Sequence, residues 1–158
     1  MPALIDVHTH GFRGFSDEES AEGLRRLAQA YASRGIGGFC ATIGPRPLPY
    51  YLKLIQEYQD AFSMSYPGAR FLGLHLEGPY LNPEKAGAIA PESMQNIDLL
   101  ELESFLMQSK GFVKIMTIAP ELPNAEKAIR LLNHYGVIAS AGHTARIMNN
   151  VKMQFQLD

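Results

Sequence analysis

Tryptophan is missing from this chain of 158 residues, and cysteine occurs once, at Cys40. A single thiol cannot build an intrachain disulfide framework, which fits a reducing compartment. Between Gly38, Phe39, Ala41 and Thr42, Cys40 reads as an inert core thiol, because reactive cysteines need an electropositive, exposed setting. No apolar run approaches the ~20 residues that cross a bilayer, and no charged leader precedes an apolar stretch. A cytoplasmic location and no membrane partner are therefore expected. An excess of one charge is lacking too: 14 Lys and Arg face 16 Asp and Glu, a net charge of −2. That balance provides no basic face for nucleic acid.

What is present is a globular composition, 46% hydrophobic, and a regular alternation of short β-rich runs with longer helical patterns. Strands are expected over residues 3–7, 36–43, 71–76, 112–118 and 137–141. Helices are expected over 19–34, 49–62, 98–108 and 124–135, with Asp98 placed to open the third and Gly35 and Gly136 to close the first and last. An irregular Pro- and Gly-containing stretch follows the third strand through Pro91. Strand–helix–strand at this spacing argues for a parallel sheet with right-handed crossovers. Five such units fit either a doubly wound sheet or most of a barrel, and periodicity leaves both open.

The polar residues that can do chemistry stand at strand ends. Asp6-Val7-His8-Thr9-His10 closes the first strand, and period two places His8 and His10 on one face, where two imidazoles can chelate a divalent metal. The third strand ends in His75-Leu76-Glu77-Gly78-Pro79. A carboxylate such as Glu77 is costly to bury unpartnered; a metal is one partner, and nearby backbone amides are the alternative. His75 shares the face of Glu77 but lies deeper in the strand and reads as packing. The fifth strand ends in Ala141-Gly142-His143. Any one of these sites can arise by accident, but three at the ends of alternate strands form a pattern, and barrels gather active-site groups on that face. His134 falls on a helix and reads as solvated, and the methionines read as core filling.

These segments carry a resemblance. Asp6-Val7-His8-Thr9-His10-Gly11, His75-Leu76-Glu77-Gly78-Pro79-Tyr80-Leu81-Asn82-Pro83 with Lys85-Ala86-Gly87-Ala88, Ile118-Ala119-Pro120-Glu121 and Ser140-Ala141-Gly142-His143-Thr144 resemble the N-acetylglucosamine-6-phosphate deacetylases of the amidohydrolase superfamily. The likeness runs from residue 3 to about residue 145. It implies a partial TIM (β/α)8 barrel of about five βα units over residues 1–145 and a divalent metal cofactor, zinc, as one or two ions. It makes Glu77 and His143 metal ligands, gives His8 and His10 to a second ion, and lets Ala88 contact substrate through its backbone. The implied partner is a small amino-sugar phosphate, and the implied reaction releases acetate to leave glucosamine 6-phosphate. Family members are commonly dimeric, so a homodimer is implied. One departure is internal: Gly-Ala of this motif is often followed by His-Asn, and here Ile89-Ala90 stands.

The family draws a further metal-binding histidine and its catalytic aspartate from later strands, and this sequence includes neither. No catalytic residue is therefore assigned, and the 158-residue chain by itself is expected to give no useful turnover. A noncatalytic metal- or sugar-phosphate-binding half barrel and a metal-dependent phosphoesterase are the alternatives. Residues 146–158 form an aberrant tail in which the resemblance stops. Back-translated and read one base earlier, the tail forces Glu across Met148–Asn149 and Ala across Met153–Gln154. Both fall where the family's next helix wants them, so a frameshift is expected to have produced the tail.

Overall fold

The computed structural model describes residues 3–16, 20–63 and 65–146. The expected aberrant tail lies, apart from Arg146, outside the described residues. Five parallel strands form one sheet in the order β1 (Leu4–Thr9), β4 (Ile36–Ile43), β5 (Arg70–Glu77), β6 (Val113–Ile118) and β7 (Ile138–Ala141). A short antiparallel hairpin, β2 (Gly11–Phe12) with β3 (Phe15–Ser16), follows β1. The helices are α1 (Ala21–Ala32), α2 (Leu48–Phe62), α3 (Leu99–Ser109) and α4 (Ala125–His134).

The strand order settles what periodicity left open. A doubly wound sheet reverses direction at a switch point, whereas here every crossover adds its strand on the same side of the last. The helices consequently line up on one face, α1 against α2, α2 against α3 and α3 against α4. The result is a curled half of a (β/α) barrel. Within the irregular stretch after β5, two 3₁₀ turns form at Pro83–Lys85 and Pro91–Ser93.

Local chemistry fixes the helices. Ser20 caps α1 by accepting from the Gly23 amide at 3.2 Å, and Asp98 caps α3 by accepting from the Leu100 and Glu101 amides. The buried residues of α1, besides Gly23, are Leu24, Leu27, Ala28 and Tyr31, and those of α4 are Ala125, Ala128, Ile129 and Leu132. Both sets follow the i, i+3, i+4, i+7 stripe that turns one helix face to a core. On the strands, Phe39, Ala41, Ile43, Leu74, Leu76, Met116 and Ile118 belong to the same cluster. Most apolar burial therefore lies between sheet and helices, on the convex side.

β5 changes faces partway along. Phe71 packs toward the helices, against Phe39, Tyr58 and Phe62, yet Leu74 and Leu76, three and five residues later, also face that core. Strict alternation forbids both. The register against β4 slips before Gly73, at φ +133°, and against β6 just after it. A bulge thus supplies the extra residue. Its effect is to turn His75 and Glu77 to the concave face.

His75 is 4% exposed, as its packing role requires. Its Nδ1 donates to the Val7 carbonyl at 2.8 Å, and its Nε2 accepts from the Thr117 hydroxyl at 2.8 Å. The ring therefore ties β1 and β6 to β5, and burial lowers its pKa, keeping it neutral. Cys40 is buried too, and desolvation raises its thiol pKa. His134 is exposed on α4. On the concave face Val7 is 49% and Ile138 63% exposed. They line an open hollow of about 460 Å³ with Cys40, Leu72 and Ile115.

Two substitutions test this account by chemical denaturation. A Cβ on Gly73 would meet the Phe112 carbonyl oxygen at 2.4 Å, so Gly73→Ala is expected to cost about 2–3 kcal/mol. His75→Ala strands the Val7 carbonyl and the Thr117 hydroxyl in the interior and is expected to cost about 3 kcal/mol.

Candidate metal centre

Glu77 is the last residue of β5, and its side chain is only 13% exposed. An apolar strand thus carries a carboxylate to the rim of the concave face. There it meets imidazoles from two other strand ends. His10 Nε2 lies 3.1 Å from Glu77 Oε2, and His143 Nε2 lies 3.1 Å from Oε1. His8 Nε2 stands 3.8 Å from Oε1. The His8 and His10 rings meet edge to face, with centroids 5.1 Å apart. All four expected ligands therefore converge, with both carboxylate oxygens in use.

The sheet positions each of them. Thr9, between the two histidines, points away from the site. Its hydroxyl contacts that of Tyr31, and its amide donates to Thr42 Oγ1 at 2.9 Å. With Thr9 pinned on that side, His8 and His10 share the other, as alternation requires. The Val7 carbonyl is held from below by His75.

His143 follows β7 in a left-handed conformation, φ +48°. Its Nδ1 lies 2.9 Å from the Lys85 carbonyl, which can only accept. Nδ1 therefore donates to Lys85, and Nε2 is the nitrogen turned to Glu77, the arrangement a metal ligand needs.

The donor chemistry fits a divalent ion. Ligand atoms of His8, His10 and Glu77 lie within 4.8 Å of one another. Bonds of about 2.1 Å to nitrogen and oxygen place tetrahedral ligands about 3.4 Å apart, so a small closure of this cluster would hold an ion. Glu77 Oε1, which faces His143 as well as His8, offers a second position. An open cavity of about 410 Å³ adjoins the cluster, lined by His10, Gly44, Glu77, Ala88, Ile89 and His143. Ala88, the expected substrate contact, thus borders the same space as three of the expected ligands. Ile89 gives that wall an apolar side chain.

One polar network at the site carried no role in the sequence. Glu121, just beyond β6, accepts from Asn82 Nδ2 at 2.7 Å, Thr144 Oγ1 at 2.5 Å and the Ala145 amide at 2.7 Å. Burial pushes the pKa of this carboxyl up, but the bonds from Thr144, Asn82 and Ala145 outweigh it and hold it below the usual carboxylate range. The available signal was positional: Glu121 follows an apolar strand and a proline, as polar groups follow β1, β5 and β7.

Comparison with known proteins places this geometry in a family. The model of the Amidohydrolase family matches residues 1–156. The N-acetylgalactosamine-6-phosphate deacetylase of Escherichia coli O157:H7 is 32% identical over 155 residues, covering 98% of this chain and 41% of that protein. The N-acetylglucosamine-6-phosphate deacetylase of Bacillus subtilis is 32% identical over 148 residues, covering 91% of this chain and 37% of that protein. Among solved structures, a mutant N-acetyl-D-glucosamine-6-phosphate deacetylase from Mycobacterium smegmatis, in complex with N-acetyl-D-glucosamine-6-phosphate, superposes with a TM-score of 0.85 at 27% identity. It covers 97% of this chain and 39% of that one. The Thermotoga maritima enzyme of the same name gives 0.83 at 26% identity, covering 99% and 41%. The chain thus spans about two fifths of the length of these relatives. Membership of such a family implies a divalent metal ion, as the donor set does. From β1 through β7, this chain belongs to the amidohydrolase family.

Proposed function

We propose that this chain carries the metal-binding half of a deacetylase site for N-acetylglucosamine 6-phosphate, in a cytoplasmic protein of amino-sugar breakdown. The observation that carries the proposal is the convergence of three histidine Nε2 atoms on the Glu77 carboxylate beside an open cavity. Glu77 and His143 would hold one ion and His8 and His10 a second, with zinc the element proposed. A divalent ion held there supplies a Lewis acid for an amide carbonyl and acidifies a bound water. The residues of the chain do the rest. Glu77 brings negative charge to a rim otherwise made of imidazoles, and Lys85 keeps the His143 proton away from the site. The backbone at Ala88 meets the substrate from the cavity wall, and Ile89 excludes water beside it. In this proposal the proton-transferring aspartate belongs to the part of the relatives that this chain does not span. A homodimer is proposed as well, supported by the exposed Leu4 and Ile5 on the open edge strand β1.

The metal reading is tested by zinc titration of the purified chain against a competing chelator. Glu77→Gln is expected to weaken binding by at least about 100-fold, since changes outside the ligand set alone cost roughly 10–100-fold. Stoichiometric binding unchanged in that variant would overturn the ligand assignment.

Substrate class is tested separately, with the zinc-loaded chain and calorimetry. N-acetylglucosamine 6-phosphate is expected to bind at least about tenfold more tightly than glucosamine 6-phosphate, and only with zinc present, because the acetamide is the group that faces the metal. Metal-dependent cleavage of a simple phosphodiester, with no preference for the acetylated sugar, would move the site to the phosphoesterase reading.

A further inference from the structure

His143 has an uncommon backbone. At φ +48° it is a non-glycine residue in the left-handed region, which persists only where its surroundings hold it. It is held from two sides. Its carbonyl accepts from the Asn82 amide at 3.1 Å, and its ring is fixed by the Lys85 carbonyl at 2.9 Å. Asn82 and Lys85 are the two ends of one 3₁₀ turn, in which the Asn82 side chain caps by accepting from the Glu84 amide at 2.9 Å. On the other side, Thr144 and Ala145 follow directly in the chain.

Both sides lead to one carboxylate. Glu121 Oε1 accepts from Asn82 Nδ2 and from the Ala145 amide, each at 2.7 Å, and Oε2 accepts from Thr144 Oγ1 at 2.5 Å. Thr144 Oγ1 in turn accepts from the Arg146 amide at 3.0 Å. Glu121 therefore grips the turn that orients the His143 ring and the segment that carries its backbone. Its own place is set by β6, two residues before Pro120, where Ile118 is fully buried in the core.

We propose that Glu121 is a positioning residue for the metal centre: it clamps the 82–85 turn to residues 144–145 and so holds Nε2 of His143 on Glu77. The inference rests on the metal reading above. An apolar residue at 121 would free three donors and leave the left-handed backbone of His143 held from one side only. The ring would then sample positions away from Glu77, and the loss would fall on ligation by His143 and not on that by His8 and His10.

The test is a double-mutant cycle on the purified chain, with cobalt(II) affinity measured by chelator competition and ligand geometry read from the visible absorption band. Glu121→Ala is expected to weaken cobalt binding roughly 10–100-fold and to change the band. In a His143→Ala background, the same substitution is expected to change affinity by less than about twofold, because the ligand it positions is gone. Glu121→Gln, which keeps an oxygen for Asn82 and the Ala145 amide, is expected to recover most of the affinity. Should Glu121→Ala fail to fold, Thr144→Val removes one of the three bonds to Glu121 and carries the same cycle. An equal loss in both backgrounds would make Glu121 a general support of the fold and overturn the proposal. Wild-type affinity in Glu121→Ala would overturn it alone. No cobalt binding by the wild-type chain would overturn the metal reading and this inference with it.

Discussion

A carboxylate carried to the rim of a parallel sheet by an apolar strand sets the terms for everything around it. Glu77 is mostly enclosed, and an enclosed anion needs a cation or a set of donors near it. The chain answers with imidazoles from two other strands, and both oxygens are engaged. A neutral His143 ring with its proton on Nδ1 presents a lone pair to a carboxylate that also presents lone pairs, which is repulsive until something positive comes between them. A divalent ion can supply that charge. His143, with its Nδ1 proton committed to the Lys85 carbonyl on the far side, turns Nε2 toward that position.

The geometry of this meeting depends on a defect in the sheet. Without the bulge at Gly73, the alternation that buries Phe71 against the helices would send Glu77 the same way, into a layer packed with leucine and aromatic side chains. The bulge lets one strand serve two masters: its first half anchors the aromatic cluster, and its second half delivers His75 and Glu77 to the concave side. His75 then works as the fixed layer under the site, a neutral ring holding β1 and β6 at set distances from β5. Its two bonds leave this histidine no nitrogen to turn to the site: both are already committed.

Much of this was legible in the sequence because it is local. The five strands and four helices follow from runs of apolar residues and their periods, and His8, His10, Glu77 and His143 announce themselves as polar groups closing apolar strands. The turning sense of the sheet was not legible, because strand order is a matter of which crossover packs where, and both candidates share one rhythm. The hairpin around Arg13 was missed for a different reason: two residues per strand leave no period to read. It is held instead by Phe12 stacking on Tyr31 and by packing on α1. The bulge was hidden as well, since Gly73 in an apolar run looks like a gap in a strand until the register on both sides is known. Glu121 could be quoted as part of a pattern, but its three donors come from residues 23 to 39 positions away, and no window of sequence contains them.

The two faces of the sheet carry different obligations. On the convex side, burial is extensive and redundant: four helices share one apolar cluster, so no single contact decides whether the sheet forms. On the concave rim, each functional atom hangs from a short list of directional bonds, and the bonds pass between loops that have little apolar contact of their own. The 3₁₀ turn after β5 is an example, since none of its three residues is buried. Such loops keep their shape through hydrogen bonds rather than through packing, so they respond sharply to loss of one acceptor. A left-handed histidine at the end of the last strand is the clearest case. Its neighbours must supply what the core supplies elsewhere, and they do so through a carboxylate that touches no ligand itself.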